Sequence, residues 1–283
     1  MVTCYRHPDR ETGVSCSNCG NPICPDCMTP TPVGMRCPDC SRDKTQVRTI
    51  QSVARGSEPR VTFALIAINV IAFLASGQFG VQTDGGSNLF YDLALVGQGI
   101  FDGQIIGVAE GDYWRLITGG FLHGGFLHIA FNMYLLYILG QMLESSMGSV
   151  RFTFLYFAAL LAGSAGALLV TPNAFTVGAS GAVFGLMGAA FLEMRARGQD
   201  PMAGGVFGSI GGLILINLVF SFVLSGISIG GHIGGLIGGG LVALAFQFAD
   251  RVRQPLLAYA GAIAVAGASV ALGLAVAGGS GIG

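Results

Sequence analysis

Two short runs of this 283-residue sequence set a nucleophile and a base in glycine-rich surroundings: Gly178-Ala179-Ser180-Gly181 and Gly231-His232-Ile233-Gly234-Gly235. A serine hydroxyl becomes a useful nucleophile when a neighbouring base takes its proton, and histidine most often fills that role. Glycine beside the serine lets backbone approach a substrate closely. A serine near a helix N-terminus also has free N–H groups that can hold an oxyanion. Alone, the serine run is a weak signal, because small residues also line helix-packing faces in membranes. A histidine at matching depth turns it toward a Ser–His dyad.

His128 and Asn132 are four apart and so share one helical face. Both can donate hydrogen bonds, toward an oxyanion or equally as a polar clamp between helices. His123, one turn outward, reads either as structural or as lining a water path.

A different chemistry occupies the N-terminus. All seven cysteines fall between Cys4 and Cys40, in the pairs Cys4-x2-His7, Cys16-x2-Cys19, Cys24-x2-Cys27 and Cys37-x2-Cys40. Eight such ligands suit two tetrahedral zinc ions, with every position filled by protein and the metals therefore structural. Some forty residues build little core, so metal must supply most of the stability. Interleaved and sequential pairings of the four pairs are both open on spacing alone.

The elements that must position these residues are membrane helices. Charged residues make up 10% of the chain and hydrophobic ones 52%, against about a quarter charged in soluble domains. Seven apolar spans are predicted at 61–79, 121–143, 152–170, 177–194, 204–224, 229–248 and 255–277, each close to the ~20 residues a bilayer requires. An insertion at 80–120 separates the first two. With the N-terminus cytoplasmic, every one of the 14 basic residues except Arg115 lies inside, as the positive-inside rule demands. The cysteine module then sits in reducing cytosol, which favours metal over disulfides, and the C-terminus lies outside. Ser180 and His232 fall at similar depth near the outer ends of their helices. Ser180 is about 22 Å from Arg195, against a hydrocarbon core of ~30 Å, and so is recessed below the outer surface. Gly181, Gly185 and Gly188 after the serine, and Gly235 and Gly239 after the histidine, let the two backbones close to the range of an Oγ–Nε2 hydrogen bond.

Ionisable residues inside spans are costly and are functional suspects. No aspartate or lysine lies within a predicted span, and Glu144 and Glu193 are expected at helix ends, in reach of water. Two-aspartate proteolysis therefore lacks its carboxylates, zinc proteolysis lacks His-Glu-x-x-His, and a Ser–Lys dyad lacks its lysine, the only one being Lys44. Serine with histidine remains. A proton-relaying channel or transporter would need charge pairs deep in several spans, which the chain does not have. A membrane-anchored zinc-finger adaptor would leave the serine and histidine motifs unexplained.

These motifs together resemble the rhomboid family of intramembrane serine proteases. The resemblance rests on Trp114-Arg115, His123-x4-His128-x3-Asn132, Gly178-Ala179-Ser180-Gly181 and His232-x2-Gly235-x3-Gly239, and covers about residues 61–248. It implies an all-α polytopic fold with a six-helix core at 61–250; the predicted seventh helix with short tail at 251–283 is an extension beyond that core. The resemblance implies Ser180 as nucleophile, His232 as base without an acidic third member, and His128 and Asn132 in the oxyanion hole. It also implies a structured loop at 80–120, and a gate formed by the fifth span and the 225–231 loop, where Gly226, Gly230 and Gly231 give freedom. Phe184 stands where many bacterial members have tyrosine, which keeps a ring against His232 but loses a hydroxyl. The module at 1–41, joined by a basic linker at 42–60, resembles a B-box-type zinc finger. That likeness implies one zinc on Cys4, His7, Cys24 and Cys27 and the other on Cys16, Cys19, Cys37 and Cys40. The expected setting is a bacterial plasma membrane, with transmembrane proteins as substrates, a cytosolic protein partner for the finger and no nucleic acid. The alternative is a catalytically silent relative that binds and traffics membrane proteins.

Overall fold

A computed structural model describes residues 2–31, 34–42, 58–80, 87–223 and 226–279. Contacts divide the chain into two units, Met1–Arg55 and Gly56–Gly283. Most of the predicted 42–60 linker lies outside the described residues.

The first unit has two antiparallel pairs, β1 (Val2–Thr3) with β2 (Glu11–Thr12) and β3 (Thr29–Thr31) with β4 (Gly34–Arg36), followed by helix α1 (Pro38–Arg42). Its core is made of buried cysteines around Ile23. Arg6 pairs with Asp39 and Arg10 with Asp26 on its surface.

The second unit is helical. Its long elements are α2 (Arg60–Ser76), α5 (Phe126–Met147), α6 (Ser149–Val170), α7 (Ser180–Ala196), α9 (Ile210–Val223), α10 (Ile229–Arg251) and α11 (Pro255–Gly279). The short ones are α3 (Asn88–Leu93), α4 (Arg115–Thr118) and α8 (Gly205–Gly208). Among the described residues, α5, α6, α10 and α11 are long and apolar enough to cross a membrane. The fifth predicted span is corrected. It breaks at Ser209, whose backbone is extended and whose hydroxyl accepts from Gly212 N–H at 3.0 Å, so α9 keeps 14 residues.

Glycine sets the spacing of α6, α7 and α10. A Cβ on Gly185 would stand 2.9 Å from Gly235 O, and one on Gly188 2.6 Å from Leu236 O; one on Gly163 would stand 3.0 Å from Gly181 Cα and 3.1 Å from Gly231 O. Cβ atoms on Gly235 and Gly239 would run into the backbones of Gly181 and Gly185. At these glycines the serine-bearing and histidine-bearing helices approach backbone to backbone. The seventh helix, α11, buries Ala258, Ala262, Gly273 and Ala277 against this group.

Glu144 does not reach water as expected from its place at a helix end. It is 1% exposed. Its carboxylate accepts from Val61 N–H (3.0 Å), Thr62 N–H (2.8 Å), Thr62 Oγ1 (2.8 Å) and Ser149 Oγ (2.6 Å). The first turn of α2 has orphan amides facing it and Pro59 offers no cap, so a distant carboxylate does the capping. Glu193, by contrast, pairs with Arg197 at the surface.

The described part of the insertion, residues 87–120, is built around Arg115. Its guanidinium meets Asp112 at 2.9 Å and the carbonyls of Tyr91 and Ala94, and is 2% exposed. A hairpin of β5 (Gly99–Phe101) and β6 (Gln104–Ile106) projects from the same loop. An isolated bridge between Leu95 and Thr176 ties this loop to the segment entering α7.

Candidate active site

Ser180 is the first residue of α7. Ala179 gives that helix no side-chain cap, and its first backbone bond is Val183 N–H to Ala179 O at 3.0 Å. The amides of the first turn are therefore not used by the helix itself. Gly178, just before, has φ +127°. A Cβ there would lie 2.6 Å from His128 Nε2 and 3.6 Å from Ser180 Oγ, so glycine keeps open the space between imidazole and hydroxyl.

His128 Nδ1 accepts from Gly124 N–H at 3.3 Å. In a neutral ring the proton is then on Nε2, the nitrogen nearest the Gly178–Ser180 turn. Asn132 donates one amide hydrogen to His128 O at 2.9 Å and retains a second. His123 is fully buried and packs edge to face on His128, ring centres 5.0 Å apart.

His232 lies in the first turn of α10, which Ser228 caps by accepting from Gly231 N–H at 3.2 Å. The Phe184 ring stacks on the imidazole with centres 4.1 Å apart and an 18° tilt. Phe184 follows Ser180 by one turn of α7, so serine and histidine share a site. The expected Ser180 Oγ–His232 Nε2 hydrogen bond is not closed here; such bonds are often long before substrate binds. His232 Nδ1 is instead 2.6 Å from Ser221 Oγ. Sequence reading passed over Ser221, although it follows Asn217 by four in a helix otherwise lacking such residues. It also passed over Ser228. Beside Ser180 a cavity of ≈ 30 Å³ is bounded by residues including Gly119, Gly163, Ser164, Thr176 and Ser228, with room for about two waters.

The N-terminal ligands gather into two groups, Cys4, His7, Cys24 and Cys27, and Cys16, Cys19, Cys37 and Cys40; within each, ligand atoms lie within 4.8 Å of one another. His7 Nδ1 is 3.4 Å from Cys24 Sγ, 3.4 Å from Cys27 Sγ and 3.8 Å from Cys4 Sγ. Cys19 and Cys37 Sγ are 3.8 Å apart. A tetrahedron with zinc's bond lengths has N···S edges of about 3.6 Å and S···S edges of about 3.8 Å, so the donors fit such an ion. Backbone N–H groups of Cys19 and Cys37 lower the Cys16 thiol to about 6, toward the thiolate a metal needs. Hydrogen bonding to Asp39 pushes the Tyr5 hydroxyl pKa well up.

Residues 110–248 match the rhomboid domain. The chain is 34% identical to Rhomboid protease GluP of Bacillus subtilis (strain 168) over 186 residues, 66% of this chain and 34% of that protein. It is 38% identical to the Putative rhomboid protease YdcA of the same organism over 98 residues, 34% of this chain and 49% of that one. It is 45% identical to RHOMBOID-like protein 5 of Arabidopsis thaliana over 89 residues, 31% of this chain and 29% of that one. The matches thus span between about a third and a half of these relatives' lengths. Taken with the apolar helices and their glycine-spaced packing, they make this chain an integral membrane protein of the rhomboid family.

Proposed function

We propose that the protein is an intramembrane serine endopeptidase that cuts transmembrane segments of other membrane proteins. The observation that carries this reading is the convergence at the head of α7. Ser180 lies among unpaired helix amides, His128 Nε2 lies across Gly178 from its hydroxyl, and Phe184 on the same helix stacks on His232. Relatives named as rhomboid proteases support it.

In this reading His232 Nε2 takes the Ser180 proton as Oγ attacks a peptide carbonyl. The developing oxyanion accepts from the Ser180 backbone N–H, His128 Nε2–H and the free Asn132 amide hydrogen. The imidazolium then returns its proton to the leaving amine, giving an acyl-enzyme. Water held in the small cavity beside Ser180 releases the acyl group, with His232 again as base. A helical substrate must unwind before its carbonyl is accessible, which suits lateral access past α9 and the loop preceding α10. Residues 224–225 of that loop lie outside the described residues.

The eight N-terminal donors support two structural zinc ions, one per group, with no part in the chemistry. The distribution of basic residues supports a multi-pass protein with cytoplasmic N-terminus and external C-terminus, and the Bacillus subtilis relatives support a bacterial plasma membrane as its setting. A cytosolic protein partner is then the natural role for the finger.

A fluorophosphonate probe on purified protein tests the reading without knowledge of a substrate. Wild type is expected to label, and Ser180→Ala and His232→Ala are not. One observation favours a second reading, a silent relative that binds membrane proteins: the open Ser180–His232 bond. Failure of folded wild type to label in lipid as well as detergent would establish it.

A further inference from the structure

Deprotonating Ser180 places a positive charge on His232, and among the described residues α7, α9 and α10 bring nothing acidic close to it. No charged residue occurs in α9. The nearest carboxylate along α10 is Asp250, 18 residues and about 27 Å away. In α7 it is Glu193, 13 residues and about 20 Å beyond Ser180. The residues met at the ring are Phe184 from α7 on its face and Ser221 from α9 at Nδ1.

Two directions of the Ser221 contact can be written, and the bond to Asn217 favours one of them. Ser221 Oγ lies 2.7 Å from Asn217 O, an acceptor only, and 2.6 Å from His232 Nδ1. A hydroxyl has one hydrogen. With it donated to the Asn217 carbonyl, Oγ offers a lone pair to Nδ1, which must then be the protonated nitrogen. Nε2 is left with a free lone pair, as a base for Ser180 requires. The opposite arrangement would put the proton on Nε2 and disable it.

Burial points the same way. Of α9's fourteen residues only Gly212 and Ser221 are buried. Ser221 is 6% and His232 7% exposed, so the bond is shielded from competing water.

We propose that Ser221 is the positioning residue for His232. It holds the Nδ1–H tautomer in the resting protein and accepts the strengthened Nδ1–H bond when the imidazolium forms, in the place where soluble serine hydrolases use a carboxylate. Because Ser221 belongs to a helix with little else buried, the base is in register only while α9 is docked. An outward displacement of α9 would release Nδ1. This proposal deepens the Ser–His reading and rests on it.

The test uses the full-length protein in lipid. The rate of fluorophosphonate labelling is measured for wild type, Ser221→Ala and Ser221→Thr, with heat-unfolding midpoints alongside. A hydrogen bond to a developing charge corresponds to about a 10- to 100-fold loss of rate in Ser221→Ala. The midpoint should move little, and the hydroxyl of Ser221→Thr should restore most of the rate. The second measurement does not depend on a Ser221 variant: 15N solid-state NMR of histidine-labelled wild type, with His232 assigned by difference from His232→Ala. A resting Nδ1–H tautomer is expected. Ser221→Ala labelling at the wild-type rate, or an Nε2–H tautomer in wild type, would overturn the proposal. Wild type that does not label at all would remove the dyad itself, whichever tautomer NMR finds.

Discussion

The rings of Phe184 and His232 lie 4.1 Å apart and nearly parallel, so the imidazole is held by its face from the helix that begins with Ser180. The stack, more than a direct bond, joins the two halves of the candidate dyad in this structure. An aromatic pair of this kind is worth roughly 0.5–1.5 kcal/mol. Phe184→Leu should therefore slow fluorophosphonate labelling about 2- to 10-fold, while Phe184→Tyr keeps it near wild type. Leucine labelling as fast as phenylalanine would show that the ring does not orient the base.

Gly235 and Gly240 offer a paired test of the glycine seam. A Cβ on Gly235 collides with the Gly181 backbone, whereas one on Gly240 meets only Leu192 Cδ1 at an ordinary 3.6 Å. Gly235→Ala should cost about 1–3 kcal/mol of stability through overpacking and abolish labelling. Gly240→Ala should leave both unchanged or raise the unfolding midpoint slightly. Equal effects of the two would remove close backbone approach as the explanation.

Glu144 reaches across from α5 to cap α2 and to bind Ser149, with its carboxylate buried. Glu144→Ala leaves the first amides of α2 without their acceptor, and should lower stability by about 2 kcal/mol or more. The unfolding midpoint in mild detergent measures this. Glu144→Gln should lie between, since the amide keeps one acceptor and loses the charge.

Metal analysis tests the finger and its pairing together. Wild type should hold two zinc ions per chain, and chelation should make the finger protease-sensitive. Cys4→Ser with Cys24→Ser removes two ligands of one group, so one zinc should remain. Cys4→Ser with Cys16→Ser damages both groups and should leave neither ion tightly held. The same zinc content in the two double variants would contradict the interleaved arrangement.

Much of the candidate site was legible because its residue types are ones that membrane helices rarely contain. Ser180, His128, Asn132 and His232 stood out against apolar spans, and the cysteine spacing was explicit. Phe184 against His232 was also expected, from the family resemblance. Ser221 was not, because a serine in a membrane helix usually bonds its own backbone, as this one does to Asn217, and only the fold brings Nδ1 to it. Glu144 was misread for a related reason. Its place at a helix end is visible in sequence, but the α2 amides that bury it arrive from more than eighty residues away. The break at Ser209 was hidden inside an unbroken apolar run, where hydropathy does not distinguish a capping serine from a lipid-facing one.

Along the seam where glycines of α6, α7 and α10 meet, backbone packs on backbone. That closes a route by which most protein interiors tolerate change, in which one residue grows as its neighbour shrinks. Across Gly163, Gly181 and Gly235 there is no neighbour left to shrink, so the seam cannot drift by compensating pairs. Lipid-facing positions such as Phe222 and Leu256, both largely exposed, have no such constraint. Directed evolution of this protein should accordingly find its variation on the outside of the helix ring and return glycine, again and again, at the centre.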